Sequence, residues 1–101
     1  MKIVLVCLNG MSTGDLVNKM NKISIEKNLD LDITGVGYTD IVKEIDGASV
    51  ILLGPQVKHY IRKVREMAEP KEIPVQIIDH ITYGMRNADK VIDLALNIAK
   101  K

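Results

Sequence analysis

The sequence predicts an α/β fold: a single open four-stranded parallel sheet, strand order 2-1-3-4, with helices on both faces. Three observations predict it. Strand-like and helix-like patterns alternate four times along the chain, which argues for a parallel sheet whose crossovers are helices. Two strand-like segments, Ile3-Val4-Leu5-Val6 and Val50-Ile51-Leu52-Leu53, are continuously apolar, as strands covered on both faces are. A third, Leu29-Asp30-Leu31-Asp32-Ile33-Thr34, alternates, which suits an edge strand with one wet face. Right-handed crossovers restrict the topology, and an edge second strand beside buried first and third strands gives the order 2-1-3-4.

The remaining elements follow in chain order. Leu16, Val17, Met20 and Ile23 form a helical stripe after the first strand. Gly35-Val36-Gly37 resembles the start of a dinucleotide fingerprint, but Asp40 stands where the third glycine would be, so it reads as a turn. Residues 39–45 form a short helix capped by Thr39 or Asp40. Val57, Ile61, Val64 and Ala68 mark a helix within residues 55–68. Val75-Gln76-Ile77-Ile78 is the fourth strand, entered through Pro74. Ala88, Val91, Ile92, Ala95, Ile98 and Ala99 mark the last helix and give the cleanest periodicity.

The 101 residues make one domain, 1–101, and their 47% apolar content supports a real core. No apolar stretch is long enough to span a membrane. Met1-Lys2 leads straight into a strand with no room for a signal peptide, so the expected location is cytoplasmic. The net charge of +1 has both signs interspersed, which argues against nucleic acid as a partner. Three Tyr with no Phe or Trp make stacking platforms for bases or sugar rings scarce. One Cys cannot close an internal disulfide, and one Cys with two His leaves a structural zinc site short of ligands. No metal and no cofactor is expected.

Cys7 ends the first apolar run and is followed by Leu8-Asn9-Gly10-Met11-Ser12-Thr13-Gly14, then a helix. In an open parallel sheet, ligands bind beyond the carboxyl ends of the strands at the switch in strand order. Here that switch lies between strands 1 and 3, so the topology alone puts Cys7 at the predicted site. Inward-pointing amides and a helix N-terminus favour an anion there and favour the thiolate, the nucleophilic form. Gly10 and Gly14 let the loop curl around a phosphoryl group. Ser12 and Thr13 add hydroxyl donors, and either could cap the helix. The plainer reading is a buried, inert cysteine. Its place at a strand's carboxyl end, facing a helix start, counts against that.

Known phosphate loops narrow the chemistry. A Walker A loop needs a Lys that this loop lacks. The cysteine phosphatase loop has Cys, five residues and Arg. Here residues 8–12 fill the interval, and Thr13 takes the place of the Arg. That Arg grips phosphate bidentately, and Thr cannot. Such a loop suits holding a phosphothiol more than hydrolysing it.

With Cys7, Gly10-Met11-Ser12-Thr13, Leu53-Gly54-Pro55-Gln56-Val57, Val75-Gln76-Ile77-Ile78-Asp79 and Tyr83-Gly84, the chain resembles the enzyme IIB components of the bacterial sugar phosphotransferase system, lactose/cellobiose type. The match runs the length of the chain. The resemblance implies that Cys7 accepts a phosphoryl group from a phosphohistidine of a IIA partner. It then passes the group to a sugar held by a membrane IIC component during uptake. The sugar would be a β-glucoside or a disaccharide such as cellobiose, chitobiose or lactose. The phosphate loop would comprise Leu8, Asn9, Gly10, Met11, Ser12, Thr13, Gly14 and Asp15. Gly14-Asp15 departs from the family pattern, where a small hydroxyl residue and then an apolar one are expected. Asp15, in the first helical turn, suits the helix dipole and is expected to face solvent.

Other residues carry paired readings. Pro55 and Gln56 form a strand-to-helix turn, with Pro starting the helix, or bring Gln56 to the Cys7 loop as a donor or docking contact. Asp79 caps the next segment or orients a group at the rim. Tyr83 contacts a partner or covers the core. Met11 is a candidate apolar anchor for partners. His59 reads as a surface residue and His80 lies nearer the active edge, but neither has a loop to support phosphohistidine. Lys58, Arg62, Lys63 and Arg65 read as a solvated helix face able to steer an acidic partner weakly. A low-molecular-weight phosphatase or a phosphorylation-sensing regulatory module are the competing functions. A monomer is expected, because no helix shows a large second apolar face.

Overall fold

In the computed structural model, which describes residues 1–8 and 14–99, the sheet forms from β1 (Lys2–Cys7), β2 (Asp32–Gly37), β3 (Val50–Leu53) and β4 (Val75–Ile77). All neighbours pair in parallel, in the order β2-β1-β3-β4. The predicted architecture therefore holds. Strand alternation divides the core into two layers. Ile3, Leu5, Val50 and Leu52 point to one face and pack against Leu16 and Met20 of α1 (Gly14–Glu26) and Val91, Ile92 and Ala95 of α5 (Ala88–Ile98). Val4, Val6, Ile51 and Leu53 point to the other. There they meet Ile41 of α2 (Ile41–Glu44) and Val64 and Ala68 of α3 (Ile61–Ala68).

β2 lies three residues further along the chain than its alternation suggests. The turn that follows α1 passes through Asn28, whose φ of 55° is left-handed, and Leu29 N–H closes it on Ser24 C=O at 2.8 Å. Ser24 Oγ also donates to Leu29 C=O at 2.7 Å. Leu29 and Leu31 are thus spent on the helix exit, packed against the α1–α5 core. Pairing starts at Asp32, opposite Lys2, and runs to Gly37 opposite Cys7. Gly35-Val36-Gly37 is therefore not a turn but the inner half of an edge strand. The β1 ladder imposes an extended backbone on two glycines that have little strand preference of their own.

Three further differences are local. The short helix splits into a 3₁₀ turn, Tyr38–Asp40, and α2, and the Asp40 side chain makes no capping hydrogen bond. The helix of residues 55–68 splits into a 3₁₀ segment, Pro55–Tyr60, and α3, with non-helical angles at Val57. A five-residue helix, α4 (His80–Gly84), follows β4 where no periodic signal stood. Pro74 enters β4 as expected, and Ile78 N–H extends the ladder to Leu53 C=O at 2.8 Å.

Candidate functional site at the carboxyl edge of the sheet

Cys7 is the last residue of β1 and is fully buried. Its backbone lies between Gly37 of β2, its register partner, and the chain leaving β3, where Gly54 N–H donates to Val6 C=O at 2.9 Å. That is the switch point of the sheet. By strand alternation Cys7 shares the face of Ile3 and Leu5, so its side chain lies on the α1–α5 side. α1, the crossover that follows β1, begins at Gly14 on that same side. Its positive N-terminal end belongs to this edge.

The loop residues Asn9, Gly10, Met11, Ser12 and Thr13 lie outside the described residues. The loop's two ends are described. Leu8 is 62% exposed, on the outer side of the edge. Asp15 turns to solvent, 3.9 Å from Lys19 Nζ. Gly14 is helical without a left-handed φ, and a Cβ there would meet nothing within 4 Å. The backbone freedom of glycine is therefore not needed at Gly14. Gly14→Ala is expected to raise stability by about 0.5 kcal/mol, read as a higher urea midpoint.

Gly54 is needed for a different reason. A Cβ at Gly54 would stand 2.9 Å from Gln56 Oε1 and 3.3 Å from the Tyr83 ring. The turn after β3 and the first turns after β4 thus meet at a backbone with no side chain. Pro55 is buried and starts the 3₁₀ segment, while Gln56 is exposed beside Gly54. Tyr83 is 2% exposed and belongs to the α1–α5 core. It covers the core, with its ring edge against Gly54. Arg86, left-handed at φ 53°, sets its guanidinium 5.1 Å from the Tyr83 ring centroid and donates to Tyr83 C=O at 2.7 Å. No sequence signal marked Arg86, because its partner ring is fixed only by the turn of α4.

Asp79 caps α4. Its Oδ1 accepts from Thr82 N–H at 2.6 Å and its Oδ2 from the Thr82 hydroxyl at 3.0 Å. The Thr82 backbone N–H first, and then its hydroxyl, hold the carboxyl below its ordinary value of 3.8. A carboxylate so depressed adds stability that is complete above the ordinary value and is lost as pH falls through the depressed one. Asp79→Asn keeps a capping oxygen without the titration. Its urea midpoint is expected to fall less than the wild type's as pH is lowered from the ordinary value through the depressed one, and equal slopes would remove Asp79 from the account.

His59 is exposed at the end of the 3₁₀ segment and His80 is exposed at the start of α4. His59 contacts Tyr60, with ring centroids 4.1 Å apart. Tyr60 in turn stacks on Tyr38 at 3.9 Å and 11°. The scarce aromatics are thus gathered: two of the three tyrosines stack, and His59 leans on Tyr60 at 40°. Among the described residues, no three His, Cys, Asp or Glu side chains cluster as metal ligands. Among them also, no helix is long and apolar enough to cross a membrane.

Residues 2–94 match the family model of the phosphotransferase system's lactose/cellobiose-specific IIB subunit. The chain is 38% identical over 101 residues to a galactose-specific EIIB component of Lactococcus lactis subsp. cremoris, covering 95% of this chain and 94% of the relative. It is 32% identical over 97 residues to an oligo-β-mannoside-specific EIIB component of Bacillus subtilis, covering 96% and 94%. The solution structure of a cellobiose-specific IIB component from Borrelia burgdorferi superposes with a TM-score of 0.80 at 39% identity, over 97% of this chain and 90% of that one.

Proposed function

Because this chain belongs to the lactose/cellobiose-specific IIB family of the sugar phosphotransferase system, we propose that Cys7 is its phosphoryl-carrying residue. The observation that carries this is the place of Cys7: the last residue of β1, at the switch point, on the face where α1 begins. The donor is a phosphohistidine of a IIA protein. The Cys7 thiolate attacks phosphorus in line; the S–P bond forms as the P–N bond breaks. The departing imidazole nitrogen takes up a proton, balancing the one the thiol gave up. In the second step a sugar hydroxyl, presented by a membrane IIC component, attacks the same phosphorus. The S–P bond breaks, and the hydroxyl proton is released as the thiolate returns.

Both steps rest on positioning and on charge stabilisation. We assign the phosphoryl cradle to residues 9–14, without the exposed Leu8 and the solvent-facing Asp15, and Gln56, set beside Gly54, to the same edge. Thr13 in place of a phosphatase arginine favours retention of the phosphothiol over its hydrolysis. The protein acts in the cytoplasm as a monomer. The sugar is a β-glucoside or a disaccharide such as cellobiose, chitobiose or lactose, and its selection lies mainly with IIC. The test is intact mass after incubation with phosphoenolpyruvate, the general phosphotransferase proteins and a IIA protein of this class. One phosphoryl group on the wild type and none on Cys7→Ser is expected. Phosphate retained by the variant would reject Cys7.

A further inference from the structure

Tyr38 directly follows Gly37, the residue paired with Cys7, and Tyr60 closes the segment that leaves Gly54. Their stacked rings therefore hang from the two chain segments that flank Cys7. Both are half-buried against the α2–α3 core, on the sheet face opposite the thiol. His59 extends the stack outward. Next to it stand Lys58, Arg62 and Lys63, all exposed. None of the three forms an ion pair with another described residue; Lys22 and Lys90 form none either, but each stands alone, whereas Lys58, Arg62 and Lys63 fall within six positions of one another beside the rings. Arg65, further along α3, is committed to Val75 C=O at 3.3 Å.

We propose that the Tyr38–Tyr60–His59 stack, with Lys58, Arg62 and Lys63, is the surface on which an acidic phosphoryl-donor protein docks. The proposal rests on the reading of Cys7 as the phosphoryl acceptor. Charge complementarity selects the occupant: three exposed cations grouped beside the rings call for an acidic face. Rigid stacked rings are low-entropy anchors of the kind that dominate protein interfaces. An anionic bilayer would also satisfy the cations, but a bilayer gives no reason for the patch to adjoin the Cys7 edge, and a phosphoryl donor does. The donor must also cover the Cys7 edge, which these rings adjoin.

The test is single-turnover transfer from a phosphorylated IIA protein of the lactose/cellobiose class, over a range of donor and salt concentrations. Arg62→Glu and Tyr60→Ala are expected to lower the second-order rate about tenfold at low salt, with the rate at saturating donor unchanged. The Arg62→Glu deficit is expected to shrink as salt rises. Lys22→Glu, the same charge reversal on α1 across the sheet, is expected to stay within about twofold of wild type. Transfer by Arg62→Glu equal to that of Lys22→Glu overturns the docking surface while leaving Cys7 as acceptor. Wild type that accepts no phosphate overturns both. Binding of wild type to phosphatidylglycerol vesicles that Arg62→Glu abolishes, with transfer untouched, overturns the protein partner in favour of a membrane.

Discussion

Cys7→Ala and Cys7→Ser are both expected to lose phosphoryl acceptance by at least about 10³-fold, and to differ in stability. Chemistry fails in both, because alanine has no nucleophile and a serine hydroxyl without a general base is a weak one. Stability separates them because the site is fully buried. Alanine removes the sulfur and leaves a small gap. Serine brings a hydroxyl that has to find a partner there, at a cost of about 1–3 kcal/mol if it finds none. Rapid-quench transfer and urea unfolding on the same samples check both halves. A serine variant as active as wild type would end the carrier reading. A serine variant as stable as wild type would show that the hydroxyl is partnered.

Leu52→Ala carries the largest expected loss of stability, about 2–5 kcal/mol. Leu52 is fully buried in β3, with Leu5 of β1 on one side and Gln76 of β4 on the other. Its side chain belongs to the layer that holds α1 and α5 against the sheet. A cavity there cannot be filled from solvent, and its neighbours are fixed by ladders on both edges of β3. A domain of this size has only about 5–15 kcal/mol in total, so the loss is a large fraction. A lower urea midpoint at unchanged slope is the expected reading. A shift worth less than about 1 kcal/mol would mean that the α1–α5 layer collapses into the gap.

β1, β3 and α5 were legible because each is written in one continuous signal: an unbroken apolar run or a full helical stripe. β2 was not. Its inner half, Gly35-Val36-Gly37, sets one strand former between two glycines and is held extended by pairing with β1. Leu29 and Leu31, two of the three apolar residues in the apparent alternation, pack instead at the exit of α1, and only Ile33 lies in β2. α4 was silent because five residues are too few for a periodicity, and its existence depends on a cap, Asp79 to Thr82. The position of Cys7 could be read, since topology alone carries a strand end to the switch point. The tyrosine stack could not, because Tyr38 and Tyr60 are 22 positions apart and meet only after two strands have paired with β1.

The sheet also works as a partition. Successive β1 residues contribute to different layers, so Leu5 and Val6 share a backbone but no packing neighbours. Substitutions in the α2–α3 layer and in the α1–α5 layer should therefore combine additively. For a lineage changing its sugar and its partners, that separation matters. The face carrying the rings and cations can drift toward a new protein surface while the face that holds the thiol keeps its geometry. On the proposed docking surface, recognition can then change without disturbing the layer packed beneath the thiol.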